Sequence, residues 1–484
     1  VESSEKQGMA HREREKNDRF QIGSDTLSAN SFYYDLFRIF LESPVNDTFN
    51  LGAQYTRRFD YAPVGREFQE NTIATEMNVN GNWRLKRTLR LGGNLTYRAL
   101  DILDAELSNQ EPSETFLGRA DVNIILAKGA IQSGTTYEIG SGQEPKLEFD
   151  YVPVEPGQGN YIWLDSLFNN DGVIQDFEME IAPFQDIADH IRVSTFTDEF
   201  IRTDNVSLNQ SLRLEPRAIW YGQKKGLKKF LGKFSTQSTL KISRKTRAAP
   251  DVSAWNPFQL DIADTSLVAV TSNIRNLLFF NRSNPKYDFQ VGMTDNRNKI
   301  VQTSGFESRR TAEQFLKLRW NISKTLSTNI SVGQGQRETD SEFFNAKDYF
   351  IEFQKLEPQF TYLPSKQFRA ILKYRYQQDE NTLKTEGETA LQHDFSLELT
   401  YNRTATTSIR SRVSYINIDF SGEPNSPVGF AMLNGLQNGR NFLWNLSLDR
   451  RLSRNIQLSL SYEGRKTGMA RVVHVGRAQV AATF

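Results

Sequence analysis

Residues 83–99 read WRLKRTLRLGGNLTYRA, and their spacing decides the fold. Counting from Trp83, the odd positions are Trp83, Leu85, Arg87, Leu89, Leu91, Gly93, Leu95, Tyr97 and Ala99. The even positions are Arg84, Lys86, Thr88, Arg90, Gly92, Asn94, Thr96 and Arg98. Side chains alternate across a β-strand, so this pattern makes one mostly apolar face and one polar, charged face. A helix, with its period of 3.6, would mix the two sets.

The same period of two returns along the chain. QFRAILKYRYQ places Phe368, Ala370, Leu372, Tyr374 and Tyr376 together. LQHDFSLELTY sets Leu391, His393, Phe395, Leu397, Leu399 and Tyr401 against Gln392, Asp394, Ser396, Glu398 and Thr400. NFLWNLSLDR and NIQLSLSYEG repeat the pattern at 441–450 and 455–464. Roughly 19 to 21 such segments can be counted, many about 10–14 residues long, which is long for soluble sheets. Some connectors are tight: NGN (80–82), AKG (127–129), SKTLS (323–327) and RRLSRN (450–455). Others are long and polar, at 246–266, 377–389 and 421–439. Short turns on one side and long loops on the other are the layout of an outer-membrane barrel. The expected fold is therefore all-β: a large antiparallel transmembrane β-barrel of about 18–22 strands. A soluble propeller or sandwich also alternates, but here there is no blade-length repeat and the polar face is charged along nearly every segment.

Charges orient the faces. Facing lipid, Arg84, Lys86, Arg90, Lys373 and Arg375 would each cost about 2–4 kcal/mol at the midplane, so they are expected to line the lumen. Trp83, Tyr97, Tyr401, Trp444 and Tyr462, with Tyr374 and Tyr376, stand near segment ends, where interfacial aromatic girdles form.

Composition agrees. Only 38% of residues are hydrophobic, yet there are 33 Phe, 17 Tyr and 6 Trp, too many aromatics for a solvated coil. Lys+Arg is 59 and Asp+Glu 58, and the net charge of +1 gives no electrostatic case for nucleic acid. Without cysteine there is no disulfide framework and no thiolate metal site. No apolar run approaches the ~18 residues of a membrane helix.

The expected organisation is a charged surface segment at 1–27, strands at 28–140, an atypical loop insert at 141–190, and strands at 191–484. Bacterial single-chain barrels have even strand numbers. The count here comes out odd, so either at least one strand lies upstream of 28–42, in a longer protein, or the count of segments is off by one.

The insert carries NNDGVIQDFE. Asn169, Asp171, Gly172, Ile174 and Glu178 match positions 3, 5, 6, 8 and 12 of a calcium loop. Position 1 falls on Leu167, which cannot ligate. Asp165 can serve only if the loop holds two extra residues. The candidate Ca2+ ligands are Asp165, Asn169, Asp171 and Glu178, and a plain Asp-Gly turn is the alternative. Around this loop, YEIGSGQEPKLEFDYVPVEPGQGNYIW, FEMEIAPFQDIADHIRV and NQSLRLEPRAIW resemble the C-terminal barrel of large uncharacterised outer-membrane proteins of Bacteroidota. In those relatives the acidic loop usually has an Asp where Ser166 or Leu167 stands. The resemblance covers about 130–220 and, less closely, the last 24 residues, and it implies location rather than activity.

Catalytic constellations are not evident. His11, His190, His393 and His474 form no zinc-type pair. In HDFS, His393 must face away from Asp394 and Ser396, which prevents a relay. GQGQ (333–336) and GSGQ (140–143) lack the Lys-Ser/Thr of a phosphate loop. GQKKGLKKFLGKF (222–234) reads as a basic periplasmic turn. No enzyme is expected.

The ending, VVHVGRAQVAATF (472–484), puts Val472, His474, Gly476, Ala478, Val480, Ala482 and Phe484 on one face. It resembles the C-terminal insertion signal of outer-membrane barrels, with Phe484 as the terminal aromatic. The functional expectation is an outer-membrane barrel subunit of a surface protein export or assembly complex; a porin-like solute channel and a surface adhesin are the alternatives. Expected partners are outer-membrane lipid and lipopolysaccharide, the barrel-assembly machinery and other envelope proteins. The expected location is the outer membrane of a Gram-negative bacterium.

Overall fold

The computed structural model describes residues 7–482 apart from 22, 24, 45, 47, 109, 111, 221, 223–224, 248–251, 261, 263–265, 303–304, 343–346, 384–386 and 404–405. Phe484 lies outside the described residues. Among those described there are 22 strands. In chain order they are β1 (Gln7–Asn17), β2 (Phe32–Glu42), β3 (Phe49–Val64), β4 (Glu67–Leu85), β5 (Leu89–Ile102), β6 (Ser113–Leu126), β7 (Ile131–Pro153), β8 (Tyr161–Trp163), β9 (Met179–Ile181), β10 (His190–Leu214), β11 (Phe234–Arg247), β12 (Leu267–Phe280), β13 (Tyr287–Gln302), β14 (Gly305–Asn321), β15 (Leu326–Ser341), β16 (Tyr349–Tyr362), β17 (Phe368–Asn381), β18 (Thr389–Arg403), β19 (Thr407–Ser421), β20 (Gly439–Arg451), β21 (Ile456–Thr467) and β22 (Val473–Ala482). β8 and β9 have three residues each, and the other twenty have 10 to 25. Helices are short: α1 (Arg217–Trp220), α2 (Leu227–Leu231) and α3 (Pro427–Leu433). No helix among the described residues is long and apolar enough to cross a membrane. The fold class is all-β, of the large antiparallel transmembrane barrel type.

The chain divides into two compact units. The first comprises Val1–Lys146, Thr197–Tyr221 and Gln237–Ser272. In it β1 to β7 pair antiparallel, each with the next. One face exposes Phe37, Ile39, Met77, Val79, Trp83 and Leu95. The other carries polar ladders: Asn78 Nδ2 donates to Thr96 Oγ1 at 2.7 Å, Arg98 pairs with Glu76 at 2.7 Å, and Arg119 pairs with Asp121 and Glu138 at 2.7 Å each.

Three expectations about this unit are corrected. The segment 1–27 is not simply a charged surface segment, because Gln7–Asn17 pairs with β2 along its whole length, His11 opposite Arg38. Cross-strand ion pairs hold its charges, Arg12 and Arg14 meeting Asp35. β1 is thus the upstream strand that the parity argument asks for. NGN at 80–82 is not a turn but the middle of a ladder, with Gly81 opposite both Leu51 and Gly93. Asn80 and Asn82 lie over the facing glycines 52 and 92, where an added Cβ would meet their side chains at 3.0 Å. The turn falls at Lys86–Thr88 inside the stretch 83–99, with Lys86 in the left-handed region at φ 54°. That stretch is a hairpin; its register puts Trp83 opposite Leu91 and so preserves the alternation through the bend.

The second unit comprises Leu147–Phe196, Gly222–Thr236 and Asn273–Phe484. β13 to β22 form a continuous antiparallel meander. Register aligns Leu316, Val332 and Leu356 on one face, and Leu372, Leu397 and Val413 on the same face further along. These residues are exposed, Leu372 at 53% and Val413 at 51%. An apolar face of this extent is far larger than soluble proteins leave in water, and it is matched by hydrocarbon. On the opposite face, above the polar rows, the loop 422–438 folds back through α3. Ser426 Oγ accepts from Gly429 N–H at 3.0 Å to cap it, and Val428, Met432 and Leu433 pack on Ile351, Ala390, Ile416, Ile418 and Phe420. The insert is also shorter than 141–190: β7 runs on to Pro153, so it occupies 154–189.

Candidate functional site

Within the second unit, the polar face of the meander is a set of cross-strand charge pairs. Lys355 meets Glu313 at 2.9 Å, Lys373 and Arg375 meet Glu357 at 3.4 and 2.8 Å, and Arg412 meets Glu398 at 2.7 Å. Arg337 pairs with Asp379. Ser396 Oγ donates to Asp394 at 2.7 Å and lies 2.8 Å from Ser414 Oγ. Opposite charges one or two strands apart let the face carry its charges while leaving little net field.

The insert is fastened to this face at two places. Glu180, at the centre of β9, receives both carboxylate bonds from Arg309 Nη2 at 3.1 Å. Lys347, only 2% exposed, reaches the same Glu180 at 3.1 Å, Glu307 at 3.1 Å and the Phe177 carbonyl at 3.4 Å. Beside it, burial pushes the Asp348 carboxyl above its ordinary range, while a bond from the Ser341 N–H opposes the shift. Further along the insert, Asp186 pairs with Arg465 of β21, whose guanidinium lies 4.4 Å over the Phe184 ring. Pro183 packs against Gly435, where an added Cβ would meet Pro183 Cγ at 2.4 Å. Gly435 has φ +73°, so the close approach and the backbone both favour glycine there.

Between residues 183–186 and the polar faces of β16 to β22 lies a cavity of about 900 Å3. Its charged lining is Lys373, Arg375, Arg410, Arg412 and Arg465 against Asp186, Asp394, Glu398 and Glu463. Asn445, Ser396, Ser414 and Ser447 add neutral polar groups. The lining is nearly balanced in charge and mixes donors with acceptors, so it suits a polar or zwitterionic guest. Lys373 and Arg375 stand on the lumen face, as their alternation predicts, but the pairs that fasten the insert have no such signal. The partners of Glu180 and Asp186 lie 129 and 279 residues away, and no local pattern announces such pairs.

Of the proposed calcium ligands, Asp165, Asp171 and Glu178 converge: one oxygen from each lies within 4.8 Å of the others. A 3-10 turn at Asp165–Leu167 folds the two extra residues and returns Asp165 to the loop, where its Oδ2 accepts from Gly172 N–H at 3.1 Å. Asn169 lies against the cluster through Asp171: its amide donates to Asp171 Oδ2 at 3.0 Å, and its Oδ1 accepts from the Asp171 N–H at 3.4 Å.

Among the aromatics singled out earlier, Trp83 is exposed near the end of β4, Tyr97 half-buried in β5, and Tyr401 exposed near the end of β18. Trp444 and Tyr462 sit on the apolar face around His474, where Tyr462 Oη lies 2.8 Å from Nδ1. Tyr374 stands 2.8 Å from His393 Nδ1 on the same face. His393 is thus turned away from Asp394 and Ser396, and HDFS holds no relay. The basic stretch 222–234 includes α2, where Phe230 packs on Phe234 and Phe280.

Neither a protein-family model nor a curated protein matches the chain. Solved structures similar to it include the siderophore receptor PirA from Pseudomonas aeruginosa, at 8% identity and TM-score 0.42, covering 99% of this chain and 73% of that one. The copper transporter OprC gives 9% identity and TM-score 0.38, covering 95% and 70%. The FrpB iron transporter from Neisseria meningitidis gives 10% and 0.36, covering 96% and 73%. At these scores the likeness carries no argument, and the functional reading rests on the chain's own geometry.

Proposed function

We propose that this chain is an outer-membrane β-barrel transporter of a Gram-negative bacterium, passing a small polar solute and closed at rest by its own insert, residues 154–189. The carrying observation is the double fastening of that insert, Glu180 to Arg309 and Lys347 and Asp186 to Arg465, beside the charged cavity. The exposed apolar strand face supports a lipid-facing exterior, since only helices and closed barrels satisfy their backbone in hydrocarbon. Lipid and lipopolysaccharide then contact that face, and the barrel-assembly machinery inserts it. The cavity's ~900 Å3 falls within the range of small-molecule sites. It favours a solute over a polypeptide in transit, so the export-subunit expectation ranks second. The fastened insert likewise ranks an open porin below a gated passage.

Planar-bilayer recording tests this reading. The native chain is expected to stay mostly closed. The double variant Glu180→Gln with Asp186→Asn is expected to open at least tenfold more often. A native chain that conducts steadily, or a variant that stays as closed as the native, would sink the gating reading.

A further inference from the structure

We infer that the loop between β8 and β9 is a calcium site formed by Asp165, Asp171 and Glu178. Three observations carry it together. The three carboxylates present one oxygen each within 4.8 Å of one another. Oxygens bound to one Ca2+ at about 2.3–2.6 Å cannot stand more than about 5.2 Å apart, so the spacing admits a shared ion. Second, Glu178 is 0% exposed, and only half of its carboxylate is satisfied. Oε2 accepts from the Trp163 indole N–H at 2.8 Å and from the Gln175 N–H at 3.3 Å, while Oε1 is buried with no partner. Oδ1 of Asp165 is likewise buried and unpartnered. Third, among the described residues none of the three carboxylates has a cationic partner. Buried carboxylate oxygens without donors are costly unless a cation meets them. A set made only of oxygens selects a hard cation, and a loop whose ligands span fourteen residues suits the adaptable shell of calcium better than the strict octahedron of magnesium.

The ion would also have a mechanical role. Glu178 is two residues from Glu180, the anchor on Arg309 and Lys347. Drawing Asp165 and Asp171 onto Glu178 ties the start of β9 to the end of β8, and so sets the position from which Glu180 reaches the sheet.

Terbium luminescence on the full chain in detergent is the test, because the Trp163 indole bonds a ligand and can sensitise a bound lanthanide. Tb3+ excited through indole is expected to luminesce, to be displaced by Ca2+, and to resist a hundredfold higher Mg2+. Asp165→Asn and Glu178→Gln should each weaken Ca2+ displacement at least tenfold, and Trp163→Phe should remove the indole-sensitised signal. A heat-modifiable gel shift checks that each variant folds. Should a variant not fold, calorimetry of the native chain still decides: one Ca2+ per chain is expected. No calcium uptake by the native chain, luminescence indifferent to both carboxylate variants, or equal displacement by Mg2+ would overturn the assignment.

Discussion

The meander β13 to β22 and the insert 154–189 belong to the same unit and are held in different ways. The meander is redundant: every strand is bonded along its length to its neighbours, and its charges meet partners one or two strands away. The insert has two three-residue strands and hangs on the ion pairs of Glu180 and Asp186. A repeated structure spreads its stability over many equal contacts, whereas a docked segment concentrates it in a few. Substitutions should therefore move the two regions independently.

The largest separation is expected at Lys347. Removing one member of a buried ion cluster costs about 3–5 kcal/mol. Lys347→Met should raise hydrogen exchange and protease cleavage within 154–189 while β13 to β22 stay protected. If the whole sheet loosens together, the two regions are not separate. Next comes Leu372→Arg on the apolar face. It should destabilise the protein by about 2–4 kcal/mol in denaturant titrations in lipid vesicles. The same change at Val173, exposed at 58% in the insert, should leave the transition in place. The smallest effect is expected at Ser426→Ala, which removes the α3 cap and should cost about 1 kcal/mol, seen as faster exchange confined to 427–433.

The same contrast explains what could be read in advance. Strand faces were legible because a period of two persists wherever one side meets lipid and the other does not; the register pairs Leu397 with Leu372 and Val413 as the alternation requires. Turns were less legible. NGN carries a strong hairpin signal, but cross-strand cover of Gly52 and Gly92 by Asn80 and Asn82 outweighs it. β1 was overlooked because His11 to Lys16 is charged at nearly every position, and its partners on β2 supply what hydrophobicity does not. The converging carboxylates were visible as a loop with a misplaced first ligand. The cavity was not, since its lining comes from seven strands and a distant insert.

The insert's fastenings also set an order of events. Asp186 is joined to a residue 279 positions further along, in the penultimate strand, and Glu180 to one 129 positions further. Contacts so remote in sequence form only after the intervening chain has been placed. Hairpins between adjacent strands close locally and early. If the insert closes a passage as proposed, that passage is built before its closure, and each newly made molecule spends the last stage of its folding unsealed.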